Sequence, residues 1–260
     1  MTIDSGSDRT PGRGVVVLVA ARQEAELIAA TLAGLEAAFP DARVWVADDG
    51  SSDGTGEIAR EHGALVARAE GVGKGRAVTM AALLALAELE PQGPAPVFLL
   101  CDGDLGRSAV NLGPLVAAVT DGPAELAVAV FRRRTGGGLG LARGFARRAI
   151  SRSCGLDTTA PISGQRALTL PTLRDVLPLA DGFGMEIGMT IDATRAGRRL
   201  VEIELDLCHR ATGRGLPGFI HRARQLLDFL RVYAARRRGR RDGRRASRTA
   251  GVRNLGGPER

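Results

Sequence analysis

Apolar residues fall along this chain in short unbroken runs, separated by longer stretches in which they recur every three or four positions. Val15 to Ala20, Arg43 to Ala47, Ala64 to Ala67, the Val97-Phe98-Leu99-Leu100 run and Leu126 to Phe131 are such runs. Runs of this length without alternation predict strands buried on both faces, as in a parallel sheet. Between the first two, Glu24 to Phe39 places Leu27, Ile28, Thr31, Leu32 and Leu35 on one helical face. Further helices are predicted over Thr55 to His62, from the Gly71–Gly75 loop to about Glu88, and near Leu112 to Val119. A helix over Ile187 to Ala196 and a strand over Leu200 to Leu207 follow. The alternation predicts an α/β fold, a mostly parallel sheet with helices on both faces. Ligands of such sheets bind at the carboxyl ends of the strands. Three strands end in polar loops, at Ala21-Arg22-Gln23-Glu24, Asp48-Asp49-Gly50 and Asp102-Gly103-Asp104, and all three should converge on one edge.

Composition narrows the class. A chain of 260 residues with 44% hydrophobic and 25% charged residues can bury a full core. Three cysteines, an odd number without Cys-x-x-Cys spacing, argue against a disulfide framework and for a reducing compartment. Residues 1–13 are polar and lack the apolar stretch of a signal peptide. No apolar run is long enough to cross a bilayer. The net charge of +7 is unevenly spread, because residues 236–260 alone carry +8. The expected organisation is therefore a disordered segment 1–13, a domain over 14–235 and a basic, disordered tail over 236–260. That tail would be drawn to an anionic membrane face. It has no aromatic residue to stack on bases, which argues against nucleic acid.

The candidate chemistry lies at the predicted strand ends. Asp102 and Asp104 stand at the mouth of a buried strand, where two carboxylates repel unless a cation lies between them. Hard cations such as Mg2+ take oxygen ligands, and nucleotide diphosphates need the same ion. Lys74 is the sole lysine among 35 arginines and sits in Gly71-Val72-Gly73-Lys74-Gly75. A single lysine retained there implies a place that a planar guanidinium does not fit. The spacing excludes a P-loop, because Arg68 holds the first glycine position and Gly75 follows the lysine. A dinucleotide fingerprint is excluded too, because Ala20-Ala21-Arg22-Gln23-Glu24 follows the first strand.

With these motifs in this order, Val15 to Leu230 resembles family-2-like glycosyltransferases with the GT-A (Rossmann-like) fold. Val19-Ala20-Ala21-Arg22-Gln23-Glu24 looks like that family's first-strand motif, and Asp48-Asp49-Gly50-Ser51-Ser52-Asp53-Gly54-Thr55 like its nucleotide-binding turn. The resemblance implies donor-binding roles for Ala20, Arg22, Glu24, Asp48, Asp49 and Lys74, with Asp49 and Lys74 at the base. It also implies that Asp102 contacts ribose or metal and that Asp104 binds metal. Gly182 to Gly188 and Cys208-His209-Arg210 are similar to motifs of bacterial glucosyl-3-phosphoglycerate synthases. There the matching glutamate, Glu186, faces the sugar, and the matching histidine, His209, completes the metal site. A helix-start role for Glu186, favoured by the helix dipole, stands beside the sugar contact. Pro161-Ile162-Ser163-Gly164-Gln165 departs from the synthases, whose loop ends in a carboxylate. Leu139 and Ala211 stand where those enzymes hold phosphoglycerate with an arginine and an asparagine. Ser163-Gly164-Gln165-Arg166 is also similar to a loop of polyprenyl-phosphate glycosyltransferases.

The expected activity is metal-dependent transfer of a sugar from a nucleotide-diphosphate donor, UDP-linked, to a small-molecule or polyprenyl-phosphate acceptor. Glu186 and Arg210 are the catalytic candidates, with Arg214 as a further source of positive charge. Gly164 and Gln165 are candidate substrate contacts. Asp102, Asp104 and His209 would hold Mg2+ or Mn2+. The expected location is cytoplasmic, at the inner membrane face, with a homodimer compatible with the sequence. Two other classes stand beside this one: a nucleotidyltransferase, and a non-catalytic nucleotide-binding or membrane-docking module.

Overall fold

A computed structural model describes residues 14–89, 95–132 and 141–208. Seven strands form one sheet: β1 (Val15–Ala21), β2 (Arg43–Asp49), β3 (Leu65–Ala69), β4 (Val97–Asp102), β5 (Leu126–Phe131), β6 (Arg166–Thr169) and β7 (Leu200–Leu205). The spatial order is β3-β2-β1-β4-β6-β5-β7. All neighbouring pairs are parallel except those made by β6, which runs antiparallel to β4 and β5. The helices are α1 (Ile28–Ala38), α2 (Thr55–Glu61), α3 (Lys74–Ala87), α4 (Gly113–Thr120), α5 (Leu141–Cys154), α6 (Leu170–Val176) and α7 (Met185–Arg195).

The unbroken apolar runs are buried on both faces, as their pattern requires. Val15, Val17 and Val19 of β1 join Leu99 and Cys101 of β4 in a core with Ile28, Leu32 and Leu35 of α1. Val16 and Leu18 point the other way, with Phe98 and Leu100, onto Ala77, Ala81 and Ala85 of α3. α6 and α7 extend this second layer through Leu173, Val176, Met185 and Met189. A smaller apolar group joins α5 to α7 through Ala146, Ile150, Ile187 and Ile191.

Some elements depart from the expectation. α1 begins at Ile28 rather than Glu24. The backbone amides of Gln23, Glu24 and Ala25 are instead bonded to Ser51, Thr55 and Asp53. These amides brace a neighbouring loop, and the segment ahead of α1 is a turn in which the Leu27 and Ile28 amides both bond to the Glu24 carbonyl. β7 ends at Leu205, short of Leu207. β6, α5 and α6 have no counterpart in the sequence reading. The four-residue β6 is too short to show a period, and the arginine that opens it masks it as a strand.

Candidate active site

The carboxyl ends of β1, β2 and β4 lie side by side. Ala20 is in register with Ala47 on one side and Asp102 on the other, and Ala21 with Asp48. The expected convergence of the three loops is therefore set by parallel pairing. Because β6 is antiparallel, its amino end meets this same edge, with Arg166 opposite Leu100. Gly164 and Gln165, just before β6, are delivered to Asp102 in this way.

Lys74 is the centre of the site. Its Nζ lies 2.6 Å from Asp102 Oδ1 and 2.8 Å from Glu186 Oε1. Gln165 Nε2 donates to Asp102 Oδ2 at 2.8 Å. Burial alone pushes the Lys74 ammonium down, but the Asp102 and Glu186 carboxylates outweigh it and hold it above the usual lysine range. Lys74 is the first residue of α3, after Gly73, whose φ of +92° favours glycine. The helix start packs tightly against the 180–182 segment: a Cβ on Gly75 would lie 1.8 Å from the Ala180 carbonyl oxygen. Gly164 closes the cluster from the other side, where an added Cβ would lie 2.5 Å from Asp102 Oδ2 and 2.9 Å from Lys74 Nζ.

Of the two readings of Glu186, the helix-start one describes its position. It stands in the first turn of α7, where a carboxylate suits the helix dipole, and its side chain reaches Lys74. Asp49 and Lys74, expected together at a base, are not bonded to one another. Asp49 Oδ1 accepts from the Gly73 amide at 2.9 Å, and Oδ2 pairs with the exposed Arg22 at 3.2 Å. Asp48 is fully buried and accepts from the Ser51 amide at 2.9 Å. The Ala20 carbonyl accepts from Gly103 N at 2.8 Å, which ties the ends of β1 and β4 together.

Several residues of the turn over 48–55 act on the neighbouring loop. Asp53 accepts from Thr55 and Ala25, Thr55 from Glu24 N, and Ser51 from Gln23 N. Burial pushes the Asp53 carboxyl up, and the bonds from Thr55 and Ala25 hold it below the usual range nonetheless. Gln23 adopts a φ of 59° inside this mesh and returns the contact by accepting from Ser52 N at 2.6 Å. Asp and Thr two residues apart are the residue types that bond nearby backbone, so this bracing has a sequence signal.

Arg166, in the Ser163-Gly164-Gln165-Arg166 loop, carries no sequence signal of burial. It is fully buried, donating from Nε to the Ser163 carbonyl and from Nη1 to Thr190 Oγ1. Burial lowers its pKa to about 10, against the pull of Glu186 and Glu202. Beneath the site, burial and the neighbouring Asp102 push the Cys101 thiol up, so it stays protonated and unreactive.

Asp104 follows Asp102 at the sheet edge and is half-buried. Among the described residues no three His, Cys, Asp or Glu side chains are grouped as a metal site. His209, Arg210 and Arg214 lie outside the described residues, as do the segments 1–13 and 236–260.

Known proteins resemble this chain in sequence and in fold. The chain is 31% identical over 188 residues to the glycosyltransferase AglJ of Haloferax volcanii, a match covering 70% of this chain and 59% of that protein. It is 28% identical over 217 residues to an undecaprenyl-phosphate mannosyltransferase of Micrococcus luteus, covering 76% and 85% of the two chains. The glucosyl-3-phosphoglycerate synthase of Mycobacterium tuberculosis, solved with Mn2+, UDP and phosphoglyceric acid, superposes with a TM-score of 0.65 at 26% identity, over 86% of this chain and 78% of that one. A structure of the same synthase with Mg2+ and UDP also superposes with a TM-score of 0.65. The fold is thus the Rossmann-like GT-A fold of those enzymes. Residues 16–164, more than half the chain, match the family description Glycosyl transferase family 2, and the chain belongs to that family of glycosyltransferases.

Proposed function

We propose that this glycosyltransferase moves a hexose from a UDP-linked donor to the phosphate of a polyprenyl phosphate. One observation carries the choice of acceptor: Glu186 is 5% exposed and bonded to Lys74. A carboxylate held by an ammonium at 2.8 Å is a poor general base. A hydroxyl acceptor needs such a base, whereas a phosphate monoester presents an oxygen that is already anionic. The Micrococcus luteus relative, named for undecaprenyl phosphate, supports this reading. So does Gln165, because an amide there avoids placing a third carboxylate beside Asp102 and Glu186.

The donor reading rests on Asp48, Asp49 and the glycines around Lys74 at the carboxyl ends of β2 and β3, and on UDP in the Mycobacterium tuberculosis structures. Arg22 at the rim, paired with Asp49, adds positive charge where a diphosphate would lie. Lys74 holds Asp102 and Glu186 in place and screens their negative charge from the donor.

The residues present fit a divalent cation. Asp102 and Asp104 are partly exposed carboxylates, hard oxygen donors at the carboxyl end of β4. Mg2+ is commonly held by one or two carboxylates together with substrate phosphates and water. Asp102 and Asp104 would supply those carboxylates, with His209 as a third ligand. When bound, such an ion neutralises charge on the leaving diphosphate.

No helix among the described residues is long and apolar enough to cross a membrane. Contact with a membrane-borne acceptor would then fall to the surface and to the basic tail, at the cytoplasmic face. The deciding assay offers undecaprenyl phosphate and 3-phosphoglycerate, separately, with UDP-hexoses and Mn2+. A glycosyl-phospholipid product is expected. Transfer to phosphoglycerate without any lipid product would overturn the acceptor reading.

A further inference from the structure

The segment between α5 and β6 carries Gly164 and Gln165 to the site, yet it has no regular secondary structure between Gly155 and Gln165. Something else must fix it. Glu202, on β7, accepts from the Thr158 hydroxyl, from the Thr159 hydroxyl at 2.6 Å, from the Thr159 amide at 2.9 Å and from the Ala160 amide at 3.0 Å. Both carboxylate oxygens are used. Arg143 of α5 adds a bond to the Thr159 carbonyl at 2.7 Å.

The chain then runs from Ala160 to Gln165 in five residues, with the Ser163 amide bonded back to the Ala160 carbonyl at 3.3 Å. Arg166 holds the Ser163 carbonyl from beneath at 2.8 Å. Gly164 and Gln165 therefore hang between two charged anchors, Glu202 at the start of the loop and Arg166 at its end. The gap they fill leaves no slack, because Gly164 already lies against Asp102 and Lys74 closely enough to exclude a methyl group.

We propose that Glu202 is a positioning residue for glycosyl transfer, which fixes the loop over 158–165 so that Gly164 and Gln165 hold Asp102 and Lys74 in register. This rests on the reading of that cluster as the donor-sugar end of the site. Glu202 touches none of the cluster residues itself and acts through the loop. Burial pushes its carboxyl up, but the bonds from Thr158, Thr159 and Ala160 hold it below the usual range, so the brace stays charged at neutral pH. The base end of the donor site, at Asp48, Asp49 and Gly73, belongs to other loops and should not depend on Glu202.

The test compares E202Q and E202A with E125Q in the full chain. Glu125 precedes β5 and binds Arg198 at 2.8 Å at the amino end of the β5–β7 pair, where Glu202 is in register with Val128, so its loss destabilises the same strands without touching the loop. Hydrogen exchange over 158–165 should accelerate about tenfold or more in both Glu202 variants and stay unchanged in E125Q. Affinity for UDP should stay within about threefold, while kcat for UDP-glucose turnover with Mn2+ falls about tenfold or more with little change in KM. Unchanged loop exchange in the Glu202 variants would overturn the proposal. So would a normal kcat despite a loosened loop, an equal loss of kcat in E125Q, or loss of UDP binding. If the intact protein fails to turn over any UDP-hexose, the transfer reading fails, and the exchange measurement still decides whether Glu202 holds the loop.

Discussion

Replacing Lys74 with methionine keeps the unbranched chain as far as Cε and removes the ammonium, leaving Asp102 and Glu186 facing each other across its vacated position. At contacts of 2.6 and 2.8 Å, each pair is worth roughly 6 kcal/mol of gross attraction at an effective dielectric of about 20. Desolvation cancels much of this, and removing one partner of a buried pair costs about 3–5 kcal/mol. The low end applies here, because the Asp102 side chain is 31% exposed and partly solvated, while Glu186, at 6%, is not. A loss of about 3 kcal/mol corresponds to a fall in melting temperature of roughly 6–12 °C for a domain of this size. The pH dependence gives a sharper signature. The raised pKa of Lys74 contributes stability that is complete below the ordinary lysine value and fades only as pH rises through the folded-state value. The wild-type pair is therefore unaffected between pH 8 and pH 6. In Lys74→Met the two carboxylates repel, so one of them takes up a proton more readily and the variant regains stability as pH falls over that window. Urea unfolding at pH 8 and pH 6 measures both effects. A variant within about 1 kcal/mol of wild type at pH 8, or one that shows no recovery at pH 6, would refute the argument, since a median surface ion pair is worth no more than that.

Lys74→Arg keeps the charge, but the guanidinium has no room between Gly164 and two carboxylates, so donor affinity measured by calorimetry should fall; wild-type affinity would show that the site is open. Gly164→Ala should lower kcat/KM by about tenfold or more in the UDP-hexose assay, because the new methyl group displaces Asp102 from its bonds to Lys74 and Gln165. Asp104→Ala and His209→Ala should each lose the Mn2+-dependent part of UDP binding in a thermal-shift titration and keep the metal-free melting temperature. Deleting residues 236–260 should leave fold and UDP binding intact but weaken sedimentation with anionic vesicles, an effect that disappears in 1 M salt, where the Debye length is about 3 Å.

Much of this protein is written locally. The runs of Val, Leu and Ala at β1 and β4 are apolar on both faces, and only a two-sided parallel sheet buries both. From that alone follow the α/β class and the edge where Arg22, Asp48, Asp49, Asp102 and Asp104 gather, since parallel strands bring their carboxyl ends together. The single lysine in its glycine loop marked a crowded cation position, and two carboxylates at 2.6 and 2.8 Å are what crowd it. Which carboxylates they are was not legible, because Lys74 is 28 residues from Asp102 and 112 from Glu186, and nothing local encodes either pairing. The antiparallel insertion of β6 was equally hidden, and it alone brings Gln165 to Asp102. Glu24 to Leu27 has a helical pattern, yet it forms a turn ahead of α1, and the amides of Gln23, Glu24 and Ala25 bond to Ser51, Thr55 and Asp53, partners that nothing local announces. Arg166 in its loop motif and Glu202 in its expected strand carry no local sign of their partners, and become the anchors of an irregular loop only once β6 and β7 stand on either side of β5. Periodicity reports which face of an element is buried. It does not report which distant charge will meet it there, because that depends on strand order, and strand order is settled by the packing of the whole sheet.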